Sequence, residues 1–240
     1  MQKRILSIYV NLQDRELNLP RYLNDVKFII SICPSSIMGG KFPDRDVKKV
    51  KNILKRNYGL LGQRGYFGRC KYNHNDGTDP WHENFCLHNE PIGLEDQLEF
   101  ITKGREVLAK TFGIEPLIYA PINHLYDENT LAAIQILKYR FMMDQNNVGK
   151  ELRPYERHGV IIIPEAPIEK NGTLESLAIY THLDTLYYPE IAEYIKKFKY
   201  TVPFGIMPEE IPEKILRINE IKKRIRKLER DERKLKGFAG

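Results

Sequence analysis

The stretch LEDQLEFITKGREVLAKTFGIEPLIYAP, residues 94–121, decides the fold, because it holds a helix, a turn and a strand in succession. Apolar residues fall at helical spacing over residues 94–112, and two acidic residues occupy the first turn, near the positive end of the helix dipole. Gly113 is typical of a helix C-terminus, and the apolar run Leu117–Ala120 predicts a strand that ends at Pro121. The stretch therefore predicts one helix-to-strand unit of an α/β protein.

The same alternation extends in both directions along the chain. Short apolar runs rich in β-branched residues predict about seven strands: Ile5–Val10, Val26–Cys33, Gly59–Gly62, Leu117–Ala120, Phe141–Met143, Gly159–Ile163 and Leu177–His182. Helical spacing predicts helices between several of them and after the last: Val47–Lys55, Leu94–Phe112, Asn129–Leu137 and Tyr188–Phe198. Strands that alternate with helices pair in parallel, so we expect an α/β fold, a distorted (β/α) barrel of about seven parallel strands. The sequence has no glycine-rich phosphate-binding loop, which disfavours a nucleotide-binding doubly wound sheet.

The net charge is concentrated near one end of the sequence. The 240 residues carry a formal net charge of +6, with 42% hydrophobic and 29% charged residues, a balance typical of a globular protein. Eleven basic and four acidic residues between Lys214 and Lys236 give that segment a net charge of +7, so the rest carries −1. Isoleucine and leucine recur there at helical spacing, which predicts a basic amphipathic helix. We therefore divide the sequence into a barrel domain, residues 1–206, and a C-terminal charged helix and tail, residues 207–240.

Two interpretations of the basic helix remain open. Its apolar stripe can pack on the barrel or on a partner chain, as in a homo-oligomer, with the charges in solvent. Its basic face can instead bind RNA or an anionic surface. Phe238 is the one aromatic residue after residue 206, so base stacking has little support and nucleic acid is not the expected partner.

Further features indicate the cellular setting. No apolar run approaches the ~20 residues of a membrane-spanning helix, so we expect no membrane partner. The basic N-terminus leads into an apolar run too short for a signal peptide, which favours a buried strand and a cytoplasmic protein. Three cysteines, an odd number without a C-x-x-C pair, argue against a disulfide framework and against a closed zinc site.

Several segments follow one another in an informative order. A strand runs into Gly62–Tyr66, a loop containing His88 leads into the helix of residues 94–112, and the next strand ends in Pro121–Asn123. His182 ends the last predicted strand. In this order the sequence resembles the polysaccharide deacetylase (NodB-homology) family of the glycoside hydrolase/deacetylase (β/α)-barrel superfamily.

The resemblance, which spans roughly residues 5–198, implies hydrolysis of a carbon–nitrogen (amide) bond in a carbohydrate or related substrate. In that family, histidines after the third barrel strand hold a divalent metal, an Asp-Asp pair after the first strand supplies a ligand and a base, and a late histidine acts as general acid. This sequence departs from the pattern. Arg64 and Gly68 stand at the two histidine positions, and Asn11–Asp14 replaces the Asp-Asp pair. Because arginine has no lone pair to give a metal, the cofactor stays unknown, with zinc or a similar ion as one option.

The candidate site residues lie mostly where predicted strands end. His182 is the strongest catalytic candidate because barrel enzymes place their chemistry at that edge; we expect it to act as the acid. Asp184 can orient its imidazole, and Asp14 is the best remaining base. His74, His82 and His88 either build a relocated metal site or are ordinary loop residues.

A second group of residues is expected to bind substrate. They follow or end the third, fourth and fifth predicted strands: Arg64, Tyr66, Pro121, Asn123, His124 and Asp144. Arg64 either binds an anionic group of the ligand or forms an internal salt bridge. His124 is either a groove residue or a plain loop histidine.

Three hypotheses on function follow from the sequence. The first is a deacetylase-like hydrolase. The second is a non-catalytic relative that keeps the barrel and its groove but only binds carbohydrate. The third is a role in assembly or RNA binding through the basic helix.

Overall fold

The computed structural model of the chain describes residues 3–11, 14, 17–38, 42–57, 60–66, 92–144, 154–168, 178–201 and 203. The chain divides into two compact units, residues 1–202 and residues 203–240, and the fold below is that of the first. The predicted C-terminal helix lies outside the described residues. The domain boundary after residue 206 stays a prediction.

Seven parallel strands close into a barrel. The strands in chain order are β1 (Lys3–Val10), β2 (Ile29–Ile32), β3 (Leu60–Arg64), β4 (Ile118–Ala120), β5 (Phe141–Asp144), β6 (Tyr155–Arg157), β7 (Val160–Pro167), β8 (Ala178–His182) and β9 (Lys199–Tyr200). The ring runs β1-β2-β3-β4-β5-β7-β8 and closes because β1 pairs in parallel with both β2 and β8. The structure thus confirms the α/β fold class, a distorted (β/α) barrel of about seven parallel strands.

Two described strands, β6 and β9, lie outside this ring. β6 pairs antiparallel with the first half of β7, and β8 pairs with the second half, at Glu165–Pro167. β9 is two residues long and pairs with the first residues of β1. Neither strand was predicted from the sequence, because each is too short and too polar to show a period of two.

Helices cover the outside of the barrel. They are α1 (Pro34–Met38), α2 (Asp44–Asn57), α3 (Leu94–Phe112), α4 (Glu128–Ile136) and α5 (Pro189–Lys196). Short 3₁₀ helices lie at Arg21–Asp25, Ile122–His124 and Asp184–Tyr187. Each predicted helix of the barrel domain has its counterpart, and α3 has the predicted bounds. Among the described helices, none combines the length and hydropathy that a membrane crossing requires.

Alternation along the strands sorts side chains between the helices and the barrel interior. On β1, Leu6, Ile8 and Val10 join a core cluster with residues of α2, α3 and α5. Ser7 and Tyr9 have the opposite orientation, and both are fully buried. The interior therefore receives polar side chains, whereas the layer under the helices is apolar.

The helix α3 approaches the barrel closely at a glycine. A Cβ added at Gly104 would lie 2.9 Å from the ring of Pro34 and closer still to the amide of Gln63. Gln63 points outward from β3, donates to the carbonyl of Ile101 at 3.1 Å and accepts from the Tyr139 hydroxyl. These contacts fix α3 against β3, the strand that ends in Arg64.

Candidate ligand site at the barrel mouth

The carboxyl-terminal ends of the parallel strands, here called the barrel mouth, collect most of the predicted site residues. Asn11 follows β1, Arg64 ends β3, and His182 ends β8. The segment Pro121–His124 follows β4. Parallel strands present their carboxyl ends on one side of a barrel, so these groups converge although they are distant in sequence.

Arg64 carries a buried positive charge into the mouth. Its side chain is 4% exposed, and its guanidinium lies 4.0 Å from the centroid of the Tyr9 ring. Nε donates to Asn11 Oδ1 at 2.8 Å, and Nη1 has no hydrogen-bond partner among the residues described. Burial lowers the pKa of Arg64 to about 10, which still leaves the guanidinium charged at neutral pH.

The Asn11 amide connects Arg64 to His182. Since arginine can only donate, the Asn11 atom that faces Arg64 is the carbonyl oxygen, and the amide nitrogen faces His182 Nδ1 at 2.9 Å. The amide therefore donates to Nδ1, and a neutral His182 carries its proton on Nε2. Burial, and then the nearby Arg64 charge, lower the pKa of His182 to about 4, against a smaller opposing effect of Asp184. His182 is thus neutral at physiological pH and holds no excess proton to give as an acid.

Two carboxylates lie close to this network. Asp14 Oδ2 accepts from the backbone N–H of Asn11 at 2.6 Å. Burial raises the pKa of Asp14 above its ordinary value, and Asp184 adds to this effect, whereas the Asn11 hydrogen bond and Arg64 oppose it. The strand β8 ends at His182, and Asp184 begins a 3₁₀ helix, so Asp184 does not continue the strand.

His124 sits below the mouth in an unusual backbone. Asn123 and His124 both have left-handed backbones, with φ of 50° and 57°, a region that costs energy for residues with a Cβ and recurs at functional sites. Asn123 is exposed, whereas His124 is 4% exposed in its side chain. Its ring centroid lies 5.9 Å from that of Tyr9 and 5.4 Å from that of Tyr180. Burial, followed by the charge of Arg64, lowers its pKa to about 3.

A buried carboxyl group lies next to His124. Glu165 on β7 is fully buried, and its Oε1 lies 3.8 Å from His124 Nδ1. Burial raises the pKa of Glu165 well above its ordinary value, while the Ser7 hydroxyl lowers it by less. Glu165 therefore favours the neutral carboxylic acid, and the contact with neutral His124 is not an ion pair.

Three further predicted substrate residues make contacts within the protein. Asp144 is fully buried and accepts hydrogen bonds from Tyr126 at 2.9 Å and from Tyr155 at 3.4 Å. The carbonyl of Tyr66 accepts from the Ser35 backbone at 3.1 Å, and Pro121 precedes the 3₁₀ helix that places His124. These contacts hold the loops of the mouth in place.

A pocket of about 340 Å³ opens beside His182. Its lining comes from the ends of β7 and β8 and from the start of α5: Pro167, Ile168, Tyr180, Thr181, His182, Thr185, Tyr188, Glu190 and Ile191. Tyr188 is 51% exposed, so its ring is available to a ligand in the pocket. Aromatic rings and hydroxyls around a concave surface suit a sugar, which has apolar faces and polar edges.

The structure brings Asp14, Arg64, His182 and Asp184 near one another, and places Asp144 at the end of β5 with Tyr126 and Tyr155. The metal candidates His74, His82 and His88 lie outside the described residues, as does Gly68. Four participants were not predicted: Ser7, Tyr9, Asn11 and Glu165. In the sequence, Ser7, Asn11 and Glu165 are indicated only by being polar side chains within or just after an apolar run.

A divalent metal does not fit the described part of this site. The residues described contain no group of three His, Cys, Asp or Glu side chains able to hold an ion. Arg64 stands where the resemblance expects the first histidine ligand, and its buried charge repels a cation.

The comparisons with known proteins agree with the barrel. No family model matches the chain, and neither does any curated protein. Among solved structures, a CE4 family pseudoenzyme from Bacillus anthracis matches with a TM-score of 0.52 and 12% identity, over 87% of this chain and 66% of the other. A proposed polysaccharide deacetylase from Mycobacterium smegmatis matches with a TM-score of 0.51 and 10% identity, over 82% of each chain.

A protein of another reaction class shares the barrel as well. A 4-alpha-glucanotransferase from Thermococcus litoralis matches with a TM-score of 0.53 and 11% identity, over 84% of this chain and 37% of the other. The fold is thus a (β/α) barrel that several solved structures share. More narrowly, it is the fold found in a CE4 family pseudoenzyme and in a proposed polysaccharide deacetylase, as the sequence resemblance predicted. Identities this low establish similarity of fold but not of activity or substrate.

Proposed function

We propose that this chain is a binding protein with the polysaccharide deacetylase fold, which takes a carbohydrate at the barrel mouth without a catalytic metal. One observation carries the proposal: the buried guanidinium of Arg64, stacked on Tyr9 and hydrogen-bonded to Asn11, stands where the fold's metal ligand is expected. A fixed positive charge there disfavours the Lewis acid on which metal-assisted amide hydrolysis depends. The existence of a CE4 pseudoenzyme with this fold supports a barrel of this kind without turnover.

The pocket beside His182 supports a carbohydrate as the ligand. Tyr188 offers an exposed ring for stacking, and Thr185 and Glu190 offer polar groups at the pocket's lining. Stacking and edge hydrogen bonds together recognise a sugar ring. A cytoplasmic location stays a prediction, as does assembly or RNA binding through the basic helix.

A second candidate function is a hydrolase of a carbon–nitrogen bond. It is favoured by Asp14 and His182, which meet through Asn11 at the mouth. The pKa values assign the roles differently from the sequence hypothesis, because the lowered pKa of His182 makes it a proton acceptor at neutral pH and the raised pKa of Asp14 makes that group the better proton carrier.

The test is binding and turnover of N-acetylglucosamine oligomers by the full chain, with and without EDTA. We expect saturable binding that EDTA leaves unchanged, with no stoichiometric metal in the purified protein. The Tyr188→Ala variant should bind about tenfold more weakly, since it loses the stacking surface. Tyr187→Ala is the matched control, because Tyr187 is 53% exposed and its hydroxyl donates to the Asn18 carbonyl.

Other outcomes would decide between the candidates. Turnover that disappears in His182→Ala would establish the hydrolase and refute the binding protein. Tight stoichiometric metal would also refute the proposal, since Arg64 would then have failed to exclude it. Equal loss of binding in both tyrosine variants would remove the pocket from the site.

A further inference from the structure

Several buried polar atoms inside the barrel have no hydrogen-bond partner among the residues that the structure describes. They belong to five residues of β1, β2, β3 and β7, here called the interior polar cluster: Ser7, Tyr9, Ser31, Arg64 and Glu165. Each of these residues is at most 4% exposed. Among the described residues, the Tyr9 and Ser31 hydroxyls and Arg64 Nη1 have no partner, whereas the Ser7 hydroxyl and the Glu165 carboxyl group interact with each other without a regular hydrogen bond.

The members of the cluster are neighbours. Arg64 lies over the Tyr9 ring at 4.0 Å, and Ser31 is the register partner of Tyr9 on the adjacent strand. His124 connects this group to Glu165, because its ring lies 5.9 Å from Tyr9 and its Nδ1 lies 3.8 Å from Glu165 Oε1. The Ser7 hydroxyl is near enough to Glu165 to favour the ionised carboxyl. The cluster is therefore a series of neighbouring polar groups that runs from the mouth into the barrel.

Buried polar atoms without a partner favour a polar group that can pair with them. Folding removes these atoms from water, and native proteins leave few buried polar groups unpaired. Ordered water satisfies such groups in many proteins, and a ligand can do so as well. The charge of the cluster determines whether water or a charged ligand group interacts with it more strongly.

Among the residues described, no carboxylate pairs directly with the charge of Arg64. Arg64 forms no ion pair with a described carboxylate, although Asp14 acts on it from farther away. His124 and His182 are neutral because their pKa values fall to about 3 and about 4. Burial favours the neutral form of Glu165. A negatively charged occupant thus interacts with Arg64 more strongly than water does.

We infer that the interior polar cluster binds an oxyanion, a carboxylate or phosphate group of the ligand, which accepts a hydrogen bond from Arg64 Nη1. The inference rests on the proposed function and narrows its ligand to an acidic carbohydrate. The anion enters at the mouth past Asn11 and His182, both of which are partly exposed. The Tyr9 ring lies against Arg64 and Ser31 is the register partner of Tyr9, and both hydroxyls can donate to further oxygens.

Calorimetric titration of the full chain tests the inference. The probes are glucuronate and glucose, which differ in one carboxylate, together with glucose 6-phosphate and inorganic phosphate. We expect saturable binding of an acidic probe at least tenfold tighter than that of glucose. Preference for glucuronate identifies a carboxylate, whereas preference for glucose 6-phosphate or phosphate identifies a phosphate group.

Arg64→Met should weaken that binding at least tenfold. Arg4→Met is the matched control, because Arg4 also lies 4.0 Å from an aromatic ring, that of Phe198, but at the opposite end of β1. Equal affinity for glucuronate and glucose in the wild-type chain would overturn the inference and leave the proposed function standing. Failure of every probe to bind would overturn it too, and the N-acetylglucosamine titration then decides the proposed function separately. Because the wild-type comparison needs no variant, it decides the inference even where the Arg64→Met chain fails to fold.

Discussion

At the scale of the residue, Asn11 sets the chemistry of the mouth. Arg64 orients the Asn11 amide by donating to its oxygen. The amide nitrogen then donates to His182 Nδ1, which leaves the proton of the neutral imidazole on Nε2. An apolar residue at this position would leave both Arg64 and His182 without this partner, and a carboxylate would pair with His182 only if Nδ1 carried the proton. Burial, and then the charge of Arg64, keep this histidine neutral because together they outweigh the opposing effect of Asp184.

The lowered pKa of His182 predicts a pH-dependent contribution to stability. The unfolded chain binds a proton at this histidine from about pH 6.5 downwards, whereas the folded chain does so only from a pKa of about 4. The contribution of neutral His182 to the free energy of unfolding is therefore complete above pH 6.5 and is lost as the pH falls through that window. His182→Asn should lower the free energy of unfolding relative to wild type, and this loss should be about 2 kcal/mol smaller at pH 4 than at pH 7.

Urea denaturation of both chains across this pH range measures the effect. Glu165 acts in the opposite direction, because its raised pKa gives a contribution that is lost as the pH rises, but it is common to both chains. His158→Asn is the control, since that side chain is 54% exposed. A wild-type-to-variant difference that stays constant with pH would contradict the assignment of a neutral His182.

At the scale of the element, the close approach of α3 to β3 holds the strand that carries Arg64. A methyl group at Gly104 would meet Pro34 at 2.9 Å and the Gln63 amide more closely still. Gly104→Ala should lower the free energy of unfolding by about 1–3 kcal/mol, because overpacking exceeds the gain of about 1 kcal/mol in helix propensity. Thermal or urea denaturation measures this loss.

The matched control for this substitution is Gly93→Ala, at the residue before α3. There the nearest described atom to an added Cβ is 3.9 Å away, so the effect should be much smaller. A stabilised Gly104→Ala chain would mean that α3 can move away from the barrel. In that case Gln63 and its contacts do not fix the end of β3.

Helices and strands were predictable from the sequence where burial of one face imposes a regular spacing of apolar residues. The helix of residues 94–112 has the bounds predicted from its apolar spacing, its acidic first turn and Gly113. The site was predictable only in part. Arg64 and His182 were found because they stand at strand ends, whereas Glu165 follows the run Val160–Ile163, and its inward orientation depends on barrel closure. The neighbours of a buried polar side chain depend on how all the strands close into a ring, and no single strand of sequence reveals them.

At the scale of the whole molecule, the barrel separates fold from chemistry. Proteins described as a pseudoenzyme and as a glucanotransferase share this ring at identities of 11–12%, so its closure does not specify a reaction. The reactivity of each barrel lies in the residues at its strand ends. In this chain those residues include a buried cation, which is why the proposed function departs from metal-assisted hydrolysis.

The division of charge between barrel and tail predicts that the two can be separated. The ring closes between β1 and β8, and the outer core takes Ile191 and Ile195 from α5, all within the compact unit of residues 1–202. A chain ending at residue 206 should keep its free energy of unfolding within about 1 kcal/mol and bind carbohydrate as the full chain does. A chain ending at residue 188 should fail to fold, because it loses the two isoleucines.

If the apolar stripe of the basic helix mediates self-association, light scattering should show that the chain ending at residue 206 is a monomer and that the full chain is not. A chain ending at residue 206 that unfolds would instead show that the charged segment belongs to the barrel's own core.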